Sequence, residues 1–153
     1  MGRSVCIVIP SVGNANELGI ALDSLMAQTY YGPLEVVVVG PGGDPGRKQA
    51  ESRGLRFIDD AGSRTRADAC NIALDSTESN LVMFTDDDVI VPKDWVEKLT
   101  RWFERSEVAG VGGPNFAPPE NSTLQQQIID VSFCRCEVWA AHTSHFGTLE
   151  PAS

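Results

Sequence analysis

Three aspartates, Asp86, Asp87 and Asp88, stand side by side directly after the apolar run from Leu81 to Thr85. Adjacent carboxylates repel one another, and a divalent cation removes that cost. Side chains alternate along an extended segment, so an extended triplet sends Asp86 and Asp88 to one side and Asp87 to the other. Two carboxylates then converge on one ion. Oxygen-only ligation suits Mg²⁺ or Mn²⁺, with water and ligand phosphates completing the shell. The competing reading is a solvated acidic turn serving a helix that starts near Pro92, because carboxylates favour helix N-termini. A calcium loop is excluded. Asp86, Asp88 and Glu97 have the spacing of its first, third and twelfth positions, but Val91 stands where a glycine is required.

Such a triplet needs a rigid support, and the flanking sequence supplies one. The runs "SVCIVIP", "LEVVVVG", "LRFID", "NLVMFT" and "VAGVGG" are short, nearly continuous and rich in β-branched residues, as buried strands are. Between them lie segments with helical spacing. Leu18, Ala21, Leu22, Leu25 and Met26 form one apolar stripe on a helix starting near Asn14 or Asn16, "RTRADACNIALDS" is a second helix, and "PKDWVEKLTRWFER" is a third with Pro92 at its first position. Strands alternating with helices predict an α/β fold with a mostly parallel sheet and a ligand at the carboxyl ends of the strands. The aspartates fall at one such end. Residues 1–117 read as one unit. After the Pro-rich "PNFAPPENSTLQQQ", the segment "LQQQIIDVSFCRCEVWAA" reads as one more helix and "GTLEPAS" as a frayed end.

The 153 residues carry a formal charge of −9 with no cluster of Lys or Arg, which excludes a nucleic-acid partner held by its phosphate backbone. A metal-bridged anionic ligand is compatible with that charge. Cys6, Cys70, Cys134 and Cys136 lack paired metal-ligand spacing and read as free thiols, which fits a reducing, cytoplasmic compartment. The run "VCIVIP" is too short for a signal-peptide core. His142 and His145 in "AHTSHF" read as bystanders near the chain end.

Several segments, in order, resemble the family 2 glycosyltransferases of the GT-A nucleotide-diphospho-sugar transferase fold. "VCIVIPSVGNANELGIALDSLMAQTY" is similar to their first strand, turn and helix, "LEVVVVG" to the second strand, "RADACNIAL" to a segment with a basic residue and Asn, the aspartate triplet to the DxD motif, and "GVGGPNFAPPENS" to the strand and turn beyond it. The resemblance implies a Rossmann-like, mostly parallel sheet flanked by helices. It implies Mn²⁺ or Mg²⁺ as cofactor, a nucleotide-diphospho-sugar donor, and a saccharide, lipid or protein acceptor that the sequence does not identify.

By the same resemblance Asp88 holds the metal, Asp86 touches the ribose and assists with the metal, and Asp87 is the variable member. Arg66 lies near the diphosphate, Asn71 holds loop or ligand, and Pro10 and Ser11 border the base, mainly through backbone. Where the family commonly has Asp-Asp-Gly-Ser to read the base, this chain has "GPGGDPG", with Gly40 and Pro41 in place of the aspartates and Asp44 a few residues on. Residues 118–153 then correspond to the start of an acceptor-side region, with no residue identified as the general base. Asp130 and Glu137 are candidates only. The expected location is cytoplasmic, including the cytoplasmic face of a membrane, and a homo-oligomer stays open. A noncatalytic nucleotide-sugar-binding module and a nucleotidyltransferase of similar architecture are the alternatives.

Overall fold

The two valine- and isoleucine-rich runs become the innermost strands of a four-stranded parallel sheet. A computed structural model describes residues 2–63, 65–113 and 137–140. Strands β1 (Val5–Pro10), β2 (Leu34–Gly40), β3 (Arg56–Asp59) and β4 (Leu81–Phe84) lie in the order β3-β2-β1-β4. Val8 of β1 faces Val37 on one side and Phe84 on the other. Such a strand has both faces covered, so continuous β-branched residues suit it better than alternation.

The pleat sorts β1 between two apolar layers. Val5, Ile7 and Ile9 pack with Leu18, Leu22 and Leu25 of helix α1 (Ala15–Met26), while Cys6 and Val8 pack with Ala69 and Ala73 of helix α3 (Arg66–Asp75). Small alanines let α3 sit close to the sheet. Burial pushes the Cys6 and Cys70 thiols up from their ordinary values, so both stay protonated at neutral pH. Each is a free thiol.

Helix α2 (Pro45–Glu51) has no counterpart in the apolar periodicity of the sequence. It is held to α1 by Arg53, whose guanidinium forks onto the two carboxylate oxygens of Asp23 at 2.7 and 3.2 Å and holds that carboxyl below its ordinary value.

Two expectations are corrected. Helix α4 (Trp95–Thr100) starts after Pro92, whose carbonyl accepts the Trp95 amide, and a 3-10 turn follows over Arg101–Glu104. Residues 137–140, expected to be helical, are instead strand β6 (Glu137–Ala140), antiparallel to β5 (Val108–Gly112). Val138 and Trp139 are a β-branched and an aromatic residue, and a strand suits both. The chain divides into the units Met1–Val96 and Glu97–Ser153. The β5–β6 pair belongs to the second unit. Asp130, Cys134, Cys136, His142, His145 and the final "GTLEPAS" lie outside the described residues.

Candidate donor site

All four parallel strands end on the same side of the sheet, and the turns that leave them enclose a hollow of about 350 Å³. That is a size suited to a small organic ligand. Each strand end contributes: Pro10, Ser11, Val12 and Asn14 after β1, Val39 and Gly40 in β2, Asp60 and Ser63 after β3, and Asp86 and Asp87 after β4. Thr65, Arg66 and Ala69 add the opening turn of α3.

The first turn is built inward. Asn14 occupies the N-cap position of α1 but makes no side-chain cap bond. Its amide donates instead to Oδ1 of Asp87 at 3.3 Å, and the Ser11 hydroxyl donates to Oδ2 of Asp87 at 2.7 Å. Asp87 is 9% exposed and Ser11 3%. Buried carboxylates persist where hydrogen bonds replace the lost water, and both oxygens of Asp87 have that replacement.

The extended-triplet expectation does not survive here. Strand β4 stops at Phe84, and Asp87 and Asp88 lie in a turn. Alternation ends with the strand. Asp86 and Asp87 therefore share the hollow, while Asp88 is exposed and outside its lining. Ser11 reaches the hollow through its hydroxyl as well as its backbone, whose amide bonds to the Val39 carbonyl at 2.8 Å.

Arg66 opens α3, capped by Thr65, whose hydroxyl accepts the Asp68 amide at 3.1 Å. The Arg66 guanidinium pairs with Oδ1 of Asp86. It is the only cationic side chain among the described residues lining the hollow. Asn71 is exposed on α3 and does not line the hollow.

The chemistry of these groups fits a hard divalent cation. Asp87 has both oxygens committed, Asp86 has a partner on one oxygen, and Asp88 has none among the described residues. Asp86 and Asp88 are thus the available oxygen donors. No group of three or more His, Cys, Asp or Glu among the described residues forms a cage. Water and a ligand's phosphates would complete the shell, the arrangement Mg²⁺ prefers.

Asp44 is not a wall of the hollow. It N-caps α2 through the Gly46 amide at 2.6 Å and takes the Gly13 amide at 2.7 Å, so its two oxygens pin the first turn to α2. Asp44→Ala is expected to lower the unfolding free energy by about 1 kcal/mol, as loss of an N-cap does. Urea denaturation reads this, and an unchanged midpoint would show that the cap contributes nothing. Gly40 is required by proximity: a β-carbon there would lie 2.3 Å from the Ser11 carbonyl oxygen.

Sequence reasoning missed Asp60 and Ser63. Asp60 is 4% exposed, and its carboxylate accepts the Gly62 amide at 3.0 Å and the Ser63 hydroxyl at 3.1 Å. The signal was present, since "DDAGS" closes the third strand with turn residues at the ligand end of the sheet.

Comparison with known proteins follows the same outline. Residues 6–147 match the family described as Glycosyl transferase family 2. An N-acetylglucosaminyltransferase of Azorhizobium caulinodans is 25% identical over 154 residues, covering 95% of this chain and 39% of the relative. One of Bradyrhizobium diazoefficiens is 26% identical over 155 residues, covering 95% and 32%. This chain therefore spans well under half the length of either. Among solved structures, a mannosyltransferase of Pyrobaculum calidifontis in complex with GDP-Man and Mn²⁺ superposes with a TM-score of 0.66 at 26% identity, over 78% of this chain and 37% of that one. Glucosyl-3-phosphoglycerate synthase of Mycobacterium tuberculosis, solved with UDP, shares the fold with a TM-score of 0.63 at 20% identity, over 76% and 46%. The parallel sheet with its flanking helices is the GT-A fold. With the match running through every strand of that sheet and through the triplet beyond it, this chain belongs to glycosyl transferase family 2.

Proposed function

We propose that this chain is the donor-binding part of a glycosyltransferase that takes a nucleoside-diphospho-sugar with Mn²⁺ or Mg²⁺ and passes the sugar to a saccharide, lipid or protein acceptor. One observation carries the reading: Arg66, at the start of α3, and Asp86, after β4, pair with each other and both line the hollow at the strand ends. A guanidinium offsets phosphate charge, and a carboxylate recruits the cation that offsets the rest. When bound, the metal acts as a Lewis acid on the leaving diphosphate. The Mn²⁺ in the Pyrobaculum calidifontis complex with GDP-Man supports the same choice of cofactor.

The test is calorimetric titration of the chain with UDP-sugars and GDP-sugars in Mn²⁺, followed by radiolabelled transfer assays with saccharide, lipid and peptide acceptors. The expected result is saturable, competitive binding of a sugar nucleotide and its nucleoside diphosphate. Absence of binding by every nucleotide in the panel would refute the donor-site reading.

A further inference from the structure

The hollow is longer than its charged end. With β3 and β4 at opposite edges of the sheet, its two ends lie three strand spacings apart, roughly 14 Å at ~4.8 Å per spacing. One ion and one phosphate pair cannot fill that length. If the diphosphate lies at Arg66 and Asp86, the rest of an extended ligand runs along the strand ends, past Gly40, toward Asp60 and Ser63. Gly40 presents no side chain there, and the Asp60 amide bonds to the Gly40 carbonyl at 3.0 Å, so the two strand ends form one continuous wall.

Asp60 is the acidic side chain on that wall, and the mechanism proposed above does not use it. Its carboxylate is more than nine-tenths buried yet lines the hollow. Each of its oxygens accepts one hydrogen bond from its own turn, and a carboxylate oxygen accepts more than one. A carboxylate only accepts. It favours a base edge with a ring N–H, such as N3–H of uracil or N1–H with the 2-amino group of guanine. It disfavours adenine and cytosine, whose corresponding ring nitrogen is itself an acceptor.

We infer that Asp60 is the residue by which this chain selects the nucleobase, admitting uracil or guanine over adenine and cytosine. The inference rests on the donor-site reading and adds to it a specificity-determining residue at the opposite end of the site from Arg66.

The experiment titrates UDP, GDP, ADP and CDP into the chain in Mn²⁺, with wild type and Asp60→Asn, and adds N3-methyl-UDP and N1-methyl-GDP as probes lacking the ring N–H. Wild type is expected to bind UDP or GDP at least about tenfold more tightly than ADP and CDP, and to lose about tenfold on methylation, as a hydrogen bond to a charged group predicts. In Asp60→Asn the amide keeps an oxygen for the Gly62 amide but also offers N–H donors, so both ratios are expected to collapse toward unity. An equal loss for all nucleotides would assign Asp60 a purely structural role and overturn the inference, as would a selectivity that survives the substitution. The methylated probes test wild type alone, so the inference stays falsifiable if Asp60→Asn does not fold. If wild type binds nucleotides without preference, the inference fails and the donor site stands. If it binds none, the donor site fails first.

Discussion

Asp87→Ala is expected to destabilise the first unit by about 3 kcal/mol, seen as a fall in melting temperature on the order of 10 °C. The substitution removes the one acceptor that the Ser11 hydroxyl and the Asn14 amide have among the described residues, in a place where the Asp87 carboxylate is almost wholly covered. The buried Ser11 hydroxyl left unpaired costs free energy, and the vacated volume adds to it, whereas the exposed Asn14 amide turns to water. Nucleotide binding should weaken in parallel, because the turn that loses its anchor supplies Pro10, Ser11, Val12 and Asn14 to the hollow. Ser11→Ala should reproduce part of the effect, and the double variant should lose less than the two single losses combined, as directly bonded partners do. A melting temperature for Asp87→Ala within about 2 °C of wild type would show that the buried network is not what holds the turn.

Removing the metal should have the largest effect on binding. With EDTA in place of Mn²⁺, affinity for UDP or GDP is expected to fall by about two orders of magnitude, or roughly 2.7 kcal/mol. The chain carries a net charge of −9, and Arg66, the one cation lining the hollow among the described residues, already faces Asp86. A diphosphate arriving without a divalent ion meets more negative charge than Arg66 offsets. Asp88→Asn offers a second arm: an exposed carboxylate without a partner among the described residues should leave the melting temperature unchanged while weakening the response to Mn²⁺. Asp87→Ala should do the reverse, losing stability first. Calorimetry beside thermal melts separates the two, and equal affinity in EDTA and Mn²⁺ would remove the metal from the reading.

The sheet was legible because Val5 to Ile9 and Val36 to Val39 are continuous β-branched or apolar runs, which a two-sided core requires and a surface strand does not. Helix α1 was legible from its apolar stripe, and α3 from the helical spacing of "RTRADACNIALDS". Helix α2 was not, because its seven residues bury only Gly46 and Ala50 and leave no stripe to read, although Asp44-Pro45 is a cap followed by a proline at the first helical position. In the site, Asp86 was readable as a carboxylate at a strand end, and Arg66, at the start of α3, through the family resemblance. The inward path of Asp87 was not, since periodicity does not say at which residue a strand becomes a turn. Asp60 was hidden for a related reason: as the second of two aspartates in a Gly-Ser turn it looks like solvated loop chemistry, and only the packing beside Gly40 shows its side chain covered.

Gly40 also constrains how this site can change by descent or design. A β-carbon there would meet the Ser11 carbonyl oxygen at 2.3 Å, and that contact is backbone, which cannot rotate away as a flexible side chain can. Gly40→Asp is therefore a closed step on the mutational path: the variant meets a steric barrier before its carboxylate can reach any ligand. The Ser11 backbone is itself fixed by the Asp87 network and by Asp44 on Gly13, so the first turn must be released and rebuilt before position 40 can accept a side chain. The present arrangement acts as a ratchet. A single substitution at the tip of β2 is shut by backbone, so, on the inference that Asp60 selects the base, a library meant to redirect nucleotide choice belongs at positions 60 and 63.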